Sequence, residues 1–164
     1  MFEVGDTVVH PGHGVGVIAA IKELHSLGRA KRYYVIELLG QVDTTVMVPI
    51  QAADDIGLRS PLSHSQLSKV WNVLQDDPEI LPSKHDQRYE LIRDKLNAGD
   101  LAQIAAAVRD ITWRKEKRGY LTIEGKRLYD KGMMLLASEI ASIQESDLAS
   151  AERQISRTLQ NSLD

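Results

Sequence analysis

Two hydrophobic rhythms divide the chain. Up to about Arg59 the apolar positions come in short β-branched runs cut by turn residues. Phe2-Glu3-Val4-Gly5-Asp6-Thr7-Val8-Val9 ends such a run. His10-Pro11-Gly12-His13-Gly14 breaks it, and Val15, Val17 and Ile18 restart it. Glycine takes positive φ without steric cost, while Pro11 fixes φ and removes a donor, so the break predicts a tight turn between strands. Residues 15–21 form the second run, followed by a polar loop containing Gly28. Tyr33-Tyr34-Val35-Ile36-Glu37-Leu38 predicts a strand and Gly40-Gln41-Val42-Asp43 a turn. Thr44-Thr45-Val46-Met47-Val48-Pro49-Ile50 predicts another strand, with Pro49 marking its end or a sheet edge. Ile56-Gly57-Leu58-Arg59 reads as a short closing strand. Four or five short strands within residues 1–60 predict a small barrel-like module.

Beyond Pro61 the period changes to that of a helix. Leu67, Val70, Trp71 and Leu74 form one apolar stripe ending before Pro78, with Trp71 read as a core residue. Ser83 is positioned to cap a second helix carrying Tyr89, Ile92 and Leu96, stopped at Asn97-Ala98-Gly99. Asp100 caps a third, with Gln103 completing a capping box, and Gly119 ends it after a basic last turn. Thr122 opens a fourth helix, and a fifth is capped around Ser146 or Asp147. The predicted fold class is α+β: a small N-terminal β-barrel module (1–60) followed by an all-α C-terminal bundle of about five helices (61–164).

Composition narrows the chemistry. There is no cysteine among the 164 residues, so no disulfide framework and no thiolate metal site. No apolar run is long enough to span a bilayer. The Met-Phe-Glu start shows no basic and apolar leader, so a cytoplasmic protein is expected. Charge is uneven. The net formal charge is −3, yet residues 109–131 hold eight basic and four acidic side chains, net +4. Such an island can meet phosphate locally even on an anionic protein.

Catalytic readings fail on this sequence. His10 and His13 lie in a turn, short of the three or four ligands that zinc needs. The glycines at 12, 14 and 16 precede a strand and lack the Lys-Ser/Thr of a phosphate loop. No serine sits in a nucleophile elbow. Asp54-Asp55 and Asp76-Asp77 read as solvated loop charges. No enzyme and no cofactor are expected. Trp113 stands on the flank of the third helix shared with Arg109 and Lys117, either half-buried or touching DNA sugars or a partner surface amid the basic island.

The opening Phe2-x-Val4-Gly5-Asp6-x-Val8-Val9-His10-Pro11-x-His13-Gly14-Val15-Gly16 resembles the start of the CarD/CdnL family of bacterial transcription regulators. The resemblance continues through Tyr33-Tyr34-Val35-Ile36, Val46-Met47-Val48-Pro49, Ile56-Gly57-Leu58-Arg59, Arg88-Tyr89, Leu96-Asn97-Ala98-Gly99-Asp100, Val108-Arg109-Asp110 and Leu121-Thr122 with Lys126-Arg127. It implies that the N-terminal module is Tudor-like and docks on the β subunit of RNA polymerase. It implies that the helical domain contacts promoter DNA at the upstream edge of the transcription bubble and stabilises the open complex. A monomer, nucleoid-associated and without a membrane partner, is expected.

Departures from the family pattern shape the expected site. Aligned on Arg88-Tyr89, His85 occupies the place where the family commonly carries a minor-groove wedge tryptophan, so the expected wedge is weak, absent or moved to Trp113. Family arginines on the docking strands correspond to His25 and Met47. The polymerase-facing candidates are therefore His25, Arg29, Lys31, Arg32, Val46, Met47, Val48 and Pro49. The DNA-facing candidates are His85, Arg88, Arg109, Trp113, Arg114, Lys126, Arg127 and Lys131, of which Lys126, Arg127 and Lys131 match the family best. The alternative is a polymerase-binding adaptor on the same scaffold without productive DNA contact.

Overall fold

Antiparallel backbone pairing makes the first four elements strands: β1 (Thr7–His10), β2 (Gly14–Ser26), β3 (Arg29–Leu38) and β4 (Thr45–Pro49). In this computed structural model, which describes residues 1–164, the chain divides into two compact units, Met1–Pro61 and Leu62–Asp164. The strands of the first unit form one curled antiparallel sheet in the order β1-β2-β3-β4. Its core is Val8, Ile18, Tyr34, Ile36, Leu38, Val48, Ala53 and Leu58. The Tyr34 hydroxyl accepts from the Phe2 N–H at 3.0 Å, and the Phe2 ring meets it edge-on, which ties the N-terminus to the sheet.

Curling is concentrated in β2. A register shift between Ile18 and Ala20 bends the strand. Gly16, paired with Val8 on one side and Leu38 on the other, lets β3 approach closely. A Cβ there would collide with the Ile36 side chain and lie 2.7 Å from the Glu37 carbonyl oxygen. Gly16→Ala should therefore lower the stability of this unit by roughly 3 kcal/mol. A denaturant titration of the sheet signal with an unchanged midpoint would contradict this.

Two expectations for this unit change. Residues 22–26 and 29–32 are paired strand, not a polar loop. β2 and β3 run out to a two-residue turn at Leu27-Gly28, both with positive φ (50° and 73°), whose twist suits a hairpin. The stretch looked like a loop because it is exposed on both faces and so lacks alternation. The closing strand at residues 56–59 is replaced by a 3-10 turn (Ile50–Ala52), a one-turn helix α1 (Ala53–Ile56) and a left-handed Gly57. Only Arg59 rejoins the sheet: its N–H donates to the Val9 carbonyl at 3.1 Å, and Val9 N–H returns a bond at 2.7 Å.

The second unit contains α2 (His64–Gln75), α3 (His85–Asn97), α4 (Leu101–Arg118), α5 (Ile123–Gln144) and α6 (Leu148–Leu163). Their apolar stripes form one core that includes Leu74, Ile92, Leu96, Leu101, Ile111, Leu136, Ile140 and Ile155. Trp71 only half-buries against it. Gly132 permits close packing, since a Cβ would sit 2.9 Å from Val108 and 3.2 Å from Leu96. Thr122 and Asp147 cap α5 and α6, accepting from the Gly125 and Ser150 N–H groups. Asp100 caps α4 through Ala102 N–H, without the reciprocal Gln103 bond. Ser83 does not cap α3. Its carbonyl, like that of Pro82, accepts from Arg88 instead. No helix is long and apolar enough to cross a membrane.

Candidate functional site

The sheet has two edges and they differ. The β1 edge is occupied at Val9 by the paired bonds to Arg59. The β4 edge has no neighbour strand. Leu38 N–H donates to the Thr44 carbonyl at 3.0 Å, and this pair belongs to the β3–β4 register in which Glu37 faces Thr45 and Ile36 faces Val46. Bonded pairs alternate in an antiparallel ladder. Thr44, Val46 and Val48 therefore turn their backbone groups toward β3, and Thr45, Met47 and Pro49 turn theirs outward. Pro49 has no N–H, so Thr45 and Met47 supply the outward donors.

Side chains alternate as well. Val48 is 1% exposed and packs in the sheet core, and Val46 packs against that core. The Val48 side chain is closed to a partner, which corrects the reading of an apolar contact through it, whereas Val46 is half-buried. Met47 is 42% exposed. The four basic candidates on the ribbon divide between its faces by register. His25 and Arg32 lie on one face with Glu23, and Arg29 and Lys31 lie on the other with Leu24 and Tyr33. The His25 imidazole is 3.6 Å from the Glu23 carboxylate.

In the helical unit the eight sequence candidates separate into three groups. Arg88 and Arg109 are interior side chains, 7% and 8% exposed. Arg88 Nη1 donates to the Pro82 and Ser83 carbonyls at 3.1 and 2.9 Å. Arg109 donates through Nε to Asp110 at 2.9 Å and through Nη1 to the Val73 carbonyl at 3.0 Å. Arg109 is thus committed to the fold, because a buried guanidinium must be paired. Lys126 and Arg127 are exposed in the first turns of α5, and Lys131 is half-buried one turn beyond Arg127 on the same face. Arg127 is only loosely held, 3.9 Å from Glu124, which also pairs with Arg93.

The third group is His85, Trp113 and Arg114. His85 is exposed, with Nδ1 2.7 Å from Asp86 and its ring 6.2 Å from that of Tyr89. Trp113 is half-buried with the Lys117 ammonium 5.7 Å from its ring centre. Arg114 opens onto a cleft that it shares with Arg88, Tyr89, Arg118, Tyr120 and Thr122. Arg118, Tyr120 and Thr122 were not among the sequence candidates. The i, i+4 spacing of Arg114 and Arg118 at a helix end was the available signal.

Nothing in the sheet unit assembles a metal centre. The rings of His10 and His13 are 4.7 Å apart, but no group of three His, Cys, Asp or Glu side chains is placed to hold an ion. Burial, reinforced by the neighbouring His13, holds His10 below the usual imidazole pKa.

Residues 2–60 match the CarD-like/TRCF RID domain family, and residues 69–156 match the CarD C-terminal domain family. The chain is 32% identical over 145 residues to the candidate transcription factor YdeB of Bacillus subtilis (strain 168), covering 87% of this chain and 92% of that protein.

Proposed function

The chain belongs to the CarD family, a family of transcription regulators and not of enzymes, and from that premise we propose that it stabilises the open promoter complex as a two-handed monomer. The RID module is the RNA polymerase β-interacting part of such proteins. In this reading the β4 edge adds to a strand of the β subunit, with Thr45 and Met47 supplying backbone bonds and Arg29, Lys31, Arg32 and His25 supplying flanking charge. The helical unit rests on promoter DNA near the upstream edge of the bubble through Lys126, Arg127 and Lys131, with Arg114 and His85 on the α3–α4 side. These contacts go to sugar–phosphate and carry no base readout.

The single observation that carries the reading is the asymmetry of the sheet. One edge is closed by Arg59 and the other is left open in a unit that matches a polymerase-interacting domain. The wedge is the weak point of any DNA contact here, because His85 fills far less apolar volume than tryptophan. Trp113, held under Lys117 and half-buried, has part of its ring already packed. Phosphate neutralisation then bears most of the DNA affinity.

The test is the lifetime of the open complex formed by purified polymerase on a forked promoter. The wild-type chain should lengthen it. The double variant Lys126→Gln/Arg127→Gln should lose most of that gain, and the slope of log affinity against log salt should fall by about 1.8. Polymerase binding with an unchanged lifetime for the wild-type chain would instead favour a protein-only adaptor.

A further inference from the structure

The helical unit brings three guanidiniums and no carboxylate to one cleft, and we propose that this cleft is a binding site for a phosphoryl group. The idea deepens the reading above only in that a DNA phosphate is one source of that group; it does not depend on polymerase docking. The cleft measures about 50 Å³ and is lined by Arg88, Arg114 and Arg118 together with Tyr89, Tyr120 and Thr122.

The arrangement is built, not incidental. Arg88 is buried and anchored, since its Nη1 is fixed by the Pro82 and Ser83 carbonyls, and a guanidinium has further N–H donors to offer. Arg114 and Arg118 lie one turn apart at the end of α4, and neither makes an ion pair. The nearby carboxylates are engaged elsewhere: Glu124 with Arg93 and Arg127, Asp86 with His85. The three cations therefore face one another without a counter-charge. Burial, followed by repulsion from Arg88 and Arg118, lowers the pKa of Arg114.

Two further features fit an oxyanion. Gly119, with φ of 81°, turns the chain so that Thr122 and Gly125 at the start of α5 also line the cleft. The positive end of that helix dipole adds to the arginine field. Thr122 and Tyr89 hydroxyls, hydrogen-bonded to each other, place two more polar groups at the wall. Planar guanidinium forks match phosphate geometry better than point charges do. A bound phosphoryl group would relieve the repulsion that the empty cleft carries.

The experiment follows the Nε–H resonances of the full chain labelled with ¹⁵N-arginine. One arm titrates inorganic phosphate against sodium chloride at matched ionic strength, and a second titrates a short DNA duplex. The Arg88, Arg114 and Arg118 signals should move saturably with phosphate and stay still with chloride. Arg114→Gln should weaken that binding about tenfold or more, as loss of a charged hydrogen bond does. Arg118→Gln, at an exposed position, should do the same without touching the core. Movement with the duplex alone would assign the phosphoryl group to a nucleic-acid backbone. No movement in either arm overturns the proposal. Lys126→Gln/Arg127→Gln should leave the phosphate arm unchanged, so a failure of the promoter reading and a failure of this one are distinguishable.

Discussion

Asp110→Ala is expected to destabilise the helical unit by about 3–5 kcal/mol, the cost of leaving a buried charge without its partner. The Asp110 carboxylate is fully buried. Its Oδ1 accepts from Arg109 Nε at 2.9 Å and from the Glu79 N–H at 3.0 Å, and its Oδ2 lies 3.8 Å from the Lys95 ammonium. Removing it strands the buried Arg109 guanidinium on the Val73 carbonyl alone and leaves the Glu79 N–H without an acceptor. The carboxylate thus joins α4 to the α2–α3 connector and to α3 at once. A loss of this size is a large share of the 5–15 kcal/mol that typically separates folded from unfolded states. Thermal and urea unfolding followed by far-ultraviolet circular dichroism would read it. The paired change Arg109→Met/Asp110→Leu should lose less than Asp110→Ala, because no lone charge remains. If Asp110→Ala unfolds within about 1 kcal/mol of wild type, the network is not holding these elements.

The same network explains where sequence reasoning stopped. A basic residue within a basic island looks like a ligand for phosphate, and charge counting placed Arg109 there. Its helical phase told otherwise, since Val108 and Ile111 of the core flank it and Asp110 follows directly. Helix positions were legible because apolar period and caps agreed: Asp100, Thr122 and Asp147 each accept a first-turn N–H. Ser83 failed as a cap because α3 begins one residue later than its pattern suggests, with Lys84 at the cap position. The ribbon at residues 22–32 was hidden for the opposite reason. A strand exposed on both faces has no burial period to display, and only its Leu27-Gly28 turn marks it. Membership in the CarD family was legible from ordered motifs, whereas the arginine cleft needed the fold, because Arg88 and Arg118 are thirty residues apart in the chain.

Thr45→Pro is expected to weaken binding to a polymerase β fragment by about tenfold or more while leaving the fold intact. The prediction follows from the ladder. Thr45 faces Glu37 as a non-bonded pair, so its N–H points away from β3 and into the space an added strand would fill. Proline at such a position removes an outward donor and places a ring in the docking path, but takes nothing from the β3–β4 bonds. The residue before it, Thr44, is restricted toward extended conformations by the proline. One lost backbone bond contributes about 1 kcal/mol, and the steric block adds to it. Thr45→Val keeps the N–H and should bind as wild type. Val46→Pro should instead disrupt the unit, because the Val46 N–H belongs to a bonded pair with Ile36. Met47→Glu, on the exposed face, should weaken binding without unfolding. The useful comparison is therefore between neighbours: a proline at 45 that spares stability and weakens docking, beside a proline at 46 that costs stability. Equal affinity for Thr45→Pro and wild type, with unchanged unfolding midpoints, would show that the polymerase does not pair with this edge. The ribbon cations Arg29 and Lys31 would then be the next surface to test.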